Sequence, residues 1–122
     1  MMVAVKQNVL FFFILALMGF LAACGRAKPK TDAELRLNAQ QASGRHIFQM
    51  DCSTCHHAYS SAGATGPSLK GLFKRRYLPS GLPANDRFVR GTIVGGRGMM
   101  PGFGGALTTQ QVDDLLAYLH TL

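Results

Sequence analysis

Apolar residues are spaced in two different ways along this chain. Near the N-terminus they form a run from Val9 to Ala23 that only Gly19 interrupts. Near the C-terminus they recur at the spacing of one helical face, at Val112, Leu115, Leu116 and Leu119. Thr108 and Gln111 precede this face as a capping box of the T-x-x-Q type, which predicts a closing helix.

Two further helices are predicted between these two segments. The first spans Gly44 to Met50 and leads into a cysteine motif. Asn85 is a favourable N-cap for the second, which runs to about Val94 and ends at a pair of glycines. The remaining segments are rich in Gly, Ser and Pro, and the sequence contains no strand pattern. The sequence therefore predicts an all-α domain of three or four short helices.

Residues 1–23 are predicted to be a secretory signal that precedes the folded domain. Lys6 supplies a positive charge before the apolar run, and the run is shorter than the roughly 20 residues of a membrane-spanning helix. The run ends in Leu-Ala-Ala-Cys, which resembles the lipobox of bacterial lipoproteins. The resemblance implies cleavage before Cys24 and lipidation of the Cys24 thiol. An uncleaved single-pass anchor is the alternative.

The lipoprotein interpretation divides the rest of the chain into two parts. Residues 24–41 are basic and proline-broken, and we expect them to be a lipid-anchored tether. Within them, Thr31 and Glu34 have the spacing of a capping box that could open a short helix. Residues 42–122 are then the folded domain.

The cysteine motif is the main chemical feature of this domain. Cys52, Cys55 and His56 form C-x-x-C-H, the attachment motif of a c-type haem. The two thiolates can each add to a porphyrin vinyl group, and the histidine can bind the iron. C-x-x-C also occurs in zinc sites and redox dithiols. Haem is favoured because no second pair of zinc ligands is present at a suitable spacing, and no strand pattern precedes the motif.

Four motifs in fixed order make residues 42–122 resemble the class I cytochrome c family of small bacterial electron carriers. The motifs are Gly44-x3-Phe48-x3-Cys52, Gly66-Pro67-x-Leu69, Met100-Pro101 and Leu115-x2-Tyr118-Leu119. The resemblance implies a small cytochrome c fold around one covalently attached haem c. It also implies that Gly44 and Phe48 of the first helix pack closely against the closing helix.

The same resemblance implies a set of residues around the haem. Cys52 and Cys55 would attach it, while His56 and Met100 would ligate the iron from opposite faces. Pro67 would accept a hydrogen bond from the second nitrogen of His56 through its backbone carbonyl, which fixes the ring. Met99 is the competing ligand, although the family places its methionine directly before proline.

We therefore expect an electron carrier rather than an enzyme. It would be held by lipid outside the cytoplasmic membrane, on the periplasmic face, and would exchange single electrons with a donor and an acceptor redox protein. The alternatives are a haem subunit of a larger oxidoreductase, and a haem enzyme or gas sensor in which Met100 is displaceable.

The charge of the chain bears on its partners. With 13 basic and 6 acidic side chains, the formal charge is +7, which suits acidic proteins or anionic lipid and gives no reason to expect nucleic acid for an exported haem protein. Lys74, Arg75 and Arg76 are consecutive in an irregular segment that we expect to be exposed. There they could steer an acidic partner, and a solvated loop without a docking role is the alternative.

Overall fold

The computed structural model describes residues 29–122, and Thr31–Leu122 form a compact unit. The predicted signal, its apolar run and Cys24 lie outside the described residues and stay predictions. Within residues 29–122, no helix is both long and apolar enough to cross a membrane.

Three α-helices make up the fold: α1 (Ala39–Ile47), α2 (Asp86–Gly95) and α3 (Thr109–Leu119). A π-helix, Phe48–Cys52, continues α1, and a 3-10 helix, Leu72–Lys74, lies in the long connection between α1 and α2. The described part of the chain contains two isolated β-bridges and no strand. The prediction of an all-α domain with three or four short helices is confirmed.

The N-termini of α2 and α3 are capped as the sequence predicts. Asn85 Oδ1 accepts a hydrogen bond of 3.1 Å from the Phe88 amide at the start of α2. In α3, Thr108 Oγ1 accepts from the Gln111 amide, and Gln111 Oε1 accepts from the Thr108 amide. These bonds satisfy amides that would have no partner within the helix itself.

Helix α1 begins earlier than the sequence analysis predicted, at Ala39 rather than Gly44. Asn38 Oδ1 accepts from the Gln41 amide at 2.8 Å, and Gln41 Oε1 accepts from the Asn38 amide at 3.0 Å. This reciprocal pair is a capping box, whose sequence signal is Asn followed three residues later by Gln. Gly44, the predicted start of α1, instead lies inside the helix.

The other predicted capping box forms its hydrogen bonds without starting a regular helix. Thr31 Oγ1 accepts from the Glu34 amide at 3.2 Å, but the segment is a turn that leaves through Arg36, with φ of 54°. The Asp32 carboxylate accepts a hydrogen bond from the buried Arg45 guanidinium of α1. Residues 31–41, which the sequence analysis assigned to the tether, therefore lie within the compact unit.

The core is centred on the place where α1 crosses α3. A Cβ built on Gly44 would lie 1.8 Å from the Asp114 carbonyl oxygen, so only glycine permits this approach. The rings of Phe48 and Tyr118 pack there with centroids 5.5 Å apart. The close crossing that the resemblance implied is present. The buried apolar residues are Ile47, Phe48, Ala58, Leu72, Val89, Ile93, Val112, Leu115, Leu116, Tyr118, Leu119 and Leu122.

The C-terminal end of α3 is tied to two other segments through His120. Its Nε2 atom lies 2.7 Å from Asp86 Oδ1, in the first turn of α2. Its ring stacks on Phe73, next to the 3-10 turn, with centroids 3.8 Å apart and planes 11° apart. His120 therefore bridges α3 to α2 and to the 3-10 turn.

Candidate functional site

A cavity of about 490 Å³ lies beside the helix crossing, within the usual size range of ligand pockets. Its walls come from the π-helix, α2, α3 and the two long connections. They are mostly apolar: Phe48, Leu69, Leu72, Leu78, Val89, Ile93, Phe103, Leu115 and Leu119. The cavity therefore suits a large apolar group.

The π-helix and the turn after it bring the C-x-x-C-H motif to this cavity. The amides of Cys55 and His56 both donate to the Cys52 carbonyl, at 3.1 and 2.9 Å. This tight turn places all three side chains of the motif in the cavity wall. The sequence did not predict the π-helix, a rare element that occurs frequently at functional sites.

The orientation of His56 is set by the chain that passes beside it. Its Nδ1 atom lies 2.8 Å from the Pro67 carbonyl oxygen, the hydrogen bond that the resemblance implied. A carbonyl can only accept, so Nδ1 carries a proton, and in the neutral imidazole the lone pair is then on Nε2. A Cβ on Gly66 would lie 2.5 Å from the ring, which shows how closely the chain passes. His56 is thus prepared to bind a metal through Nε2.

The two thiols of the motif differ in their surroundings. Burial, together with the nearby Asp51 and Cys55, raises the pKa of Cys52 to about 11. Cys55 is exposed, and neither thiol is in a disulfide. At neutral pH the Cys52 thiol is therefore protonated, which makes it a weak nucleophile until a base removes its proton.

A zinc site is not supported by the described residues. Within residues 29–122, no three side chains of His, Cys, Asp or Glu are grouped so that they could hold a metal ion. His46 and His57 are both exposed, and His120 is paired with Asp86.

The two adjacent methionines are in different environments. Met100 is half-buried and packs against the core, whereas the side chain of Met99 is 87% exposed. Both contribute to the cavity wall. The backbones of Arg97 and Met100 donate to each other at 3.0 Å in a tight turn, and this turn presents Met100 to the interior. Met100 is thus the better placed of the two as a ligand.

The basic cluster expected at residues 74–76 is not one exposed patch. Arg75 is half-buried, and its guanidinium donates to the carbonyls of Ser68 and Lys70 at 3.0 and 2.7 Å. Lys74 Nζ donates to the Leu122 carbonyl at 3.2 Å. Two of the three side chains therefore hold the fold together.

Two arginines of the cavity wall were missed as site residues by the sequence analysis. Arg75 and Arg97 both line the cavity. A guanidinium is permanently charged and matches a carboxylate with two parallel hydrogen bonds. No sequence motif marks these positions, because they depend on how the connections fold back over the cavity.

The donor set fits a haem attached through thioether bonds. The cavity offers apolar walls for the porphyrin, two thiols, a free imidazole nitrogen and a methionine sulfur. The two arginines suit the haem propionates. These groups come from four separate segments of the chain, and the fold brings them together in one place.

Comparisons with known proteins agree with this chemistry. Residues 39–119 match the family model described as cytochrome C oxidase, cbb3-type, subunit III. A cytochrome c-553-like protein of Synechocystis is 33% identical over 94 residues, covering 77% of this chain and 80% of the relative. A cytochrome c6 of Picosynechococcus is 29% identical over 84 residues, covering 66% and 72%.

A larger relative contains a segment similar to this chain. A quinohemoprotein alcohol dehydrogenase of Pseudomonas putida is 30% identical over 93 residues, covering 75% of this chain but only 12% of that protein. The family match spans both the C-x-x-C-H motif and Met100. The chain therefore belongs to the cytochrome c family, as a small electron carrier with one covalently attached haem c rather than an enzyme.

Proposed function

We propose that Cys52 and Cys55 attach the haem, that His56 and Met100 ligate its iron, and that the protein passes single electrons between two redox proteins. The observation that carries this proposal is the single cavity lined by all four side chains. The Pro67 carbonyl holds His56 in the tautomer that a ligand needs.

The residues around the cavity suit electron transfer more than catalysis. When bound, the haem supplies an iron that changes between the ferrous and ferric states. A neutral methionine sulfur on one side favours the reduced iron and raises the potential. If His56 and Met100 both bound the iron, no coordination position would be left for a substrate. The half-buried Met100 and the hydrogen-bonded His56 also limit how far the ligands can move.

Absorption spectroscopy of methionine variants tests the ligand assignment. In the ferric holoprotein we expect the weak far-red band of a thioether bound to iron. Met100→Ala should abolish this band, and Met99→Ala, the matched control one residue away, should retain it. If Met99→Ala removed the band and Met100→Ala kept it, the assignment would be wrong.

We further propose that the protein is a lipoprotein held on the periplasmic face of a membrane through Cys24. The support is the Leu-Ala-Ala-Cys sequence after a short apolar run. Several acyl chains, each contributing about 0.8 kcal/mol per buried CH₂, anchor a protein stably. Cys24→Ser should release haem-loaded protein into the soluble fraction. Retention of that variant in membranes would point to an uncleaved anchor helix instead.

We propose redox partners with acidic docking surfaces. Residues 66–101 surround much of the cavity and carry seven basic side chains against the single acidic Asp86. Electron exchange with such a partner should slow as salt rises and the Debye length falls from about 10 Å at 0.1 M to about 3 Å at 1 M. The double reversal Lys70→Glu/Arg76→Glu should flatten this dependence, since both residues are exposed. Arg36→Glu, in the turn before α1, is the control. If the double reversal left the electron-exchange rate and its salt dependence unchanged, Lys70 and Arg76 would have no role in docking.

A second candidate function is that of a haem subunit held in a larger oxidoreductase. The family model's description and the alcohol dehydrogenase relative favour it, because both place such a domain within a larger redox protein. Gel filtration of the native protein in mild detergent separates the two. A carrier should elute alone, while a subunit should elute with other chains in a fixed ratio.

A further inference from the structure

The loop that holds Met100 is attached directly to the end of α2. The Phe103 amide donates to the Ile93 carbonyl at 2.9 Å, and the Gly104 amide donates to the Val94 carbonyl at 3.0 Å. Carbonyls in the last turn of a helix have no partner within that helix. Residues 96–104 therefore cap α2, and their path is fixed by hydrogen bonds within the protein.

Two glycines allow this loop to approach α2 so closely. Gly96 has φ of 72° and ψ of 172°, a backbone conformation that is essentially restricted to glycine. A Cβ on Gly96 would lie 2.6 Å from the Gly102 amide nitrogen and 2.7 Å from the Met100 carbonyl oxygen. A Cβ on Gly102 would lie 2.8 Å from the Val94 carbonyl oxygen. All three contacts are with backbone atoms, which cannot rotate away.

We infer that Gly96 and Gly102 are positioning residues for Met100. They let the loop pack against α2, and this packing holds the Met100 sulfur at the cavity before any bond to iron forms. The inference rests on the proposed function, because it takes Met100 as the ligand. It adds that the protein contacts of the loop, and not the iron–sulfur bond alone, keep Met100 from being displaced.

The test uses alanine variants of the haem-loaded protein. Gly96→Ala and Gly102→Ala should force the loop away from α2, so the far-red thioether band of the ferric protein should be lost. Carbon monoxide should then bind the reduced protein at neutral pH. The controls are Gly95→Ala and Gly105→Ala, where an added Cβ would meet nothing within 4 Å. Both controls should keep the band and exclude carbon monoxide.

Amide hydrogen exchange supplies a readout that does not depend on the iron. In the wild-type protein the Phe103 and Gly104 amides should exchange slowly, because both donate to α2. In Gly96→Ala and Gly102→Ala they should exchange quickly, while the amides of α3 stay protected. This pattern would separate a displaced loop from general unfolding.

The outcomes distinguish this inference from the ligand assignment. If the wild-type protein lacks the thioether band, the ligand assignment fails and the inference fails with it. If the wild-type shows the band, Met100→Ala loses it and both glycine variants keep it, the assignment stands and the positioning role is wrong. Should both variants lose α3 protection as well, the glycines serve the whole fold, and the specific role is also wrong.

Discussion

The helix crossing and the cavity wall are built in opposite ways. At the crossing, α1 and α3 touch backbone to backbone at Gly44, and Tyr118 is only 1% exposed. Around the cavity, the apolar side chains of Leu69, Leu78 and Phe103 stay half-buried and face a space of about 490 Å³. The crossing completes its packing with protein atoms alone, and the cavity wall does not.

This difference indicates where the haem contributes to folding. A domain of this size buries only about 60% of its unfolded surface, so its stability is marginal. The porphyrin would supply the apolar surface that the cavity wall lacks. Its covalent and iron bonds would join the turn that carries Cys52, Cys55 and His56 to the loop that carries Met100. Binding energy of this kind is folding energy.

The largest effect is expected at the crossing itself. Gly44→Ala would place a methyl group 1.8 Å from the Asp114 carbonyl oxygen, so the two helices must separate. We expect a loss of more than about 4 kcal/mol in the free energy of unfolding, in the range of exceptional substitutions. Gly91→Ala in α2 is the control, since its Cβ would meet nothing within 4 Å. Chemical denaturation of both variants measures this, and equal stabilities would refute the tight crossing.

A matched pair of leucines compares the two regions directly. Leu116 in α3 is 3% exposed, and Leu72 in the cavity wall is 4% exposed. With haem attached, Leu116→Ala and Leu72→Ala should each cost about 3 kcal/mol. Without haem, only Leu116→Ala should reduce the residual helical signal. Equal effects of both substitutions in the haem-free protein would mean that the cavity wall is packed without its cofactor.

A smaller effect is expected where the N-terminal turn meets α1. Asp32→Asn removes the carboxylate that pairs with Arg45, whose side chain is only 10% exposed. Because Asp32 is itself 52% exposed, solvent screens the pair, and we expect a loss of about 1 kcal/mol. Asp114→Asn, which affects a hydrogen bond within α3, is the control. An unchanged thermal midpoint in Asp32→Asn would show that the Asp32–Arg45 pair adds nothing to the stability of the fold.

The smallest effect is a pH dependence of stability, which arises from Tyr118 at the crossing of α1 and α3. Burial and the hydrogen bond to Tyr59 raise the pKa of Tyr118 above its usual value near 10. Below about pH 10 the hydroxyl is protonated in both states, so the stabilisation is complete. Above that pH the unfolded chain loses its proton first, so stability falls as pH rises. In thermal melts between neutral and alkaline pH, the melting temperature of Tyr118→Phe should fall less with pH than that of the wild type. An identical slope in both proteins would show that the Tyr118 hydroxyl does not cause the pH dependence.

The sequence predicted best the features that depend on neighbours along the chain. The Asn85 cap, the Thr108–Gln111 box and the C-x-x-C-H turn each need only a few consecutive residues. The Gly44 crossing joins distant segments and came from the family resemblance rather than from spacing. The Asn38–Gln41 capping box is as local as the Thr108–Gln111 box, so the start of α1 at Ala39 is also marked in the sequence.

The features that the sequence did not predict depend on tertiary folding. The basic run at 74–76 indicated an exposed cluster, yet Arg75 folds back to the carbonyls of Ser68 and Lys70. The Thr31–Glu34 hydrogen bonds were predicted, but too few apolar residues follow for a helix to extend from them. Hydrogen bonds from a long side chain to backbone carbonyls depend on how the chain folds, so the residue types alone do not predict them.

A thermal melt of the haem-free protein, followed by far-UV circular dichroism, tests the central claim most directly. The variant is Cys52→Ala/Cys55→Ala, made without haem, with the haem-loaded wild type as reference. If the haem completes the cavity wall, the variant should show reduced helix content and a broad melt without a cooperative step, with only transient packing of α3 on α1. A cooperative melt from the full helix content of the wild type would show that the protein core suffices.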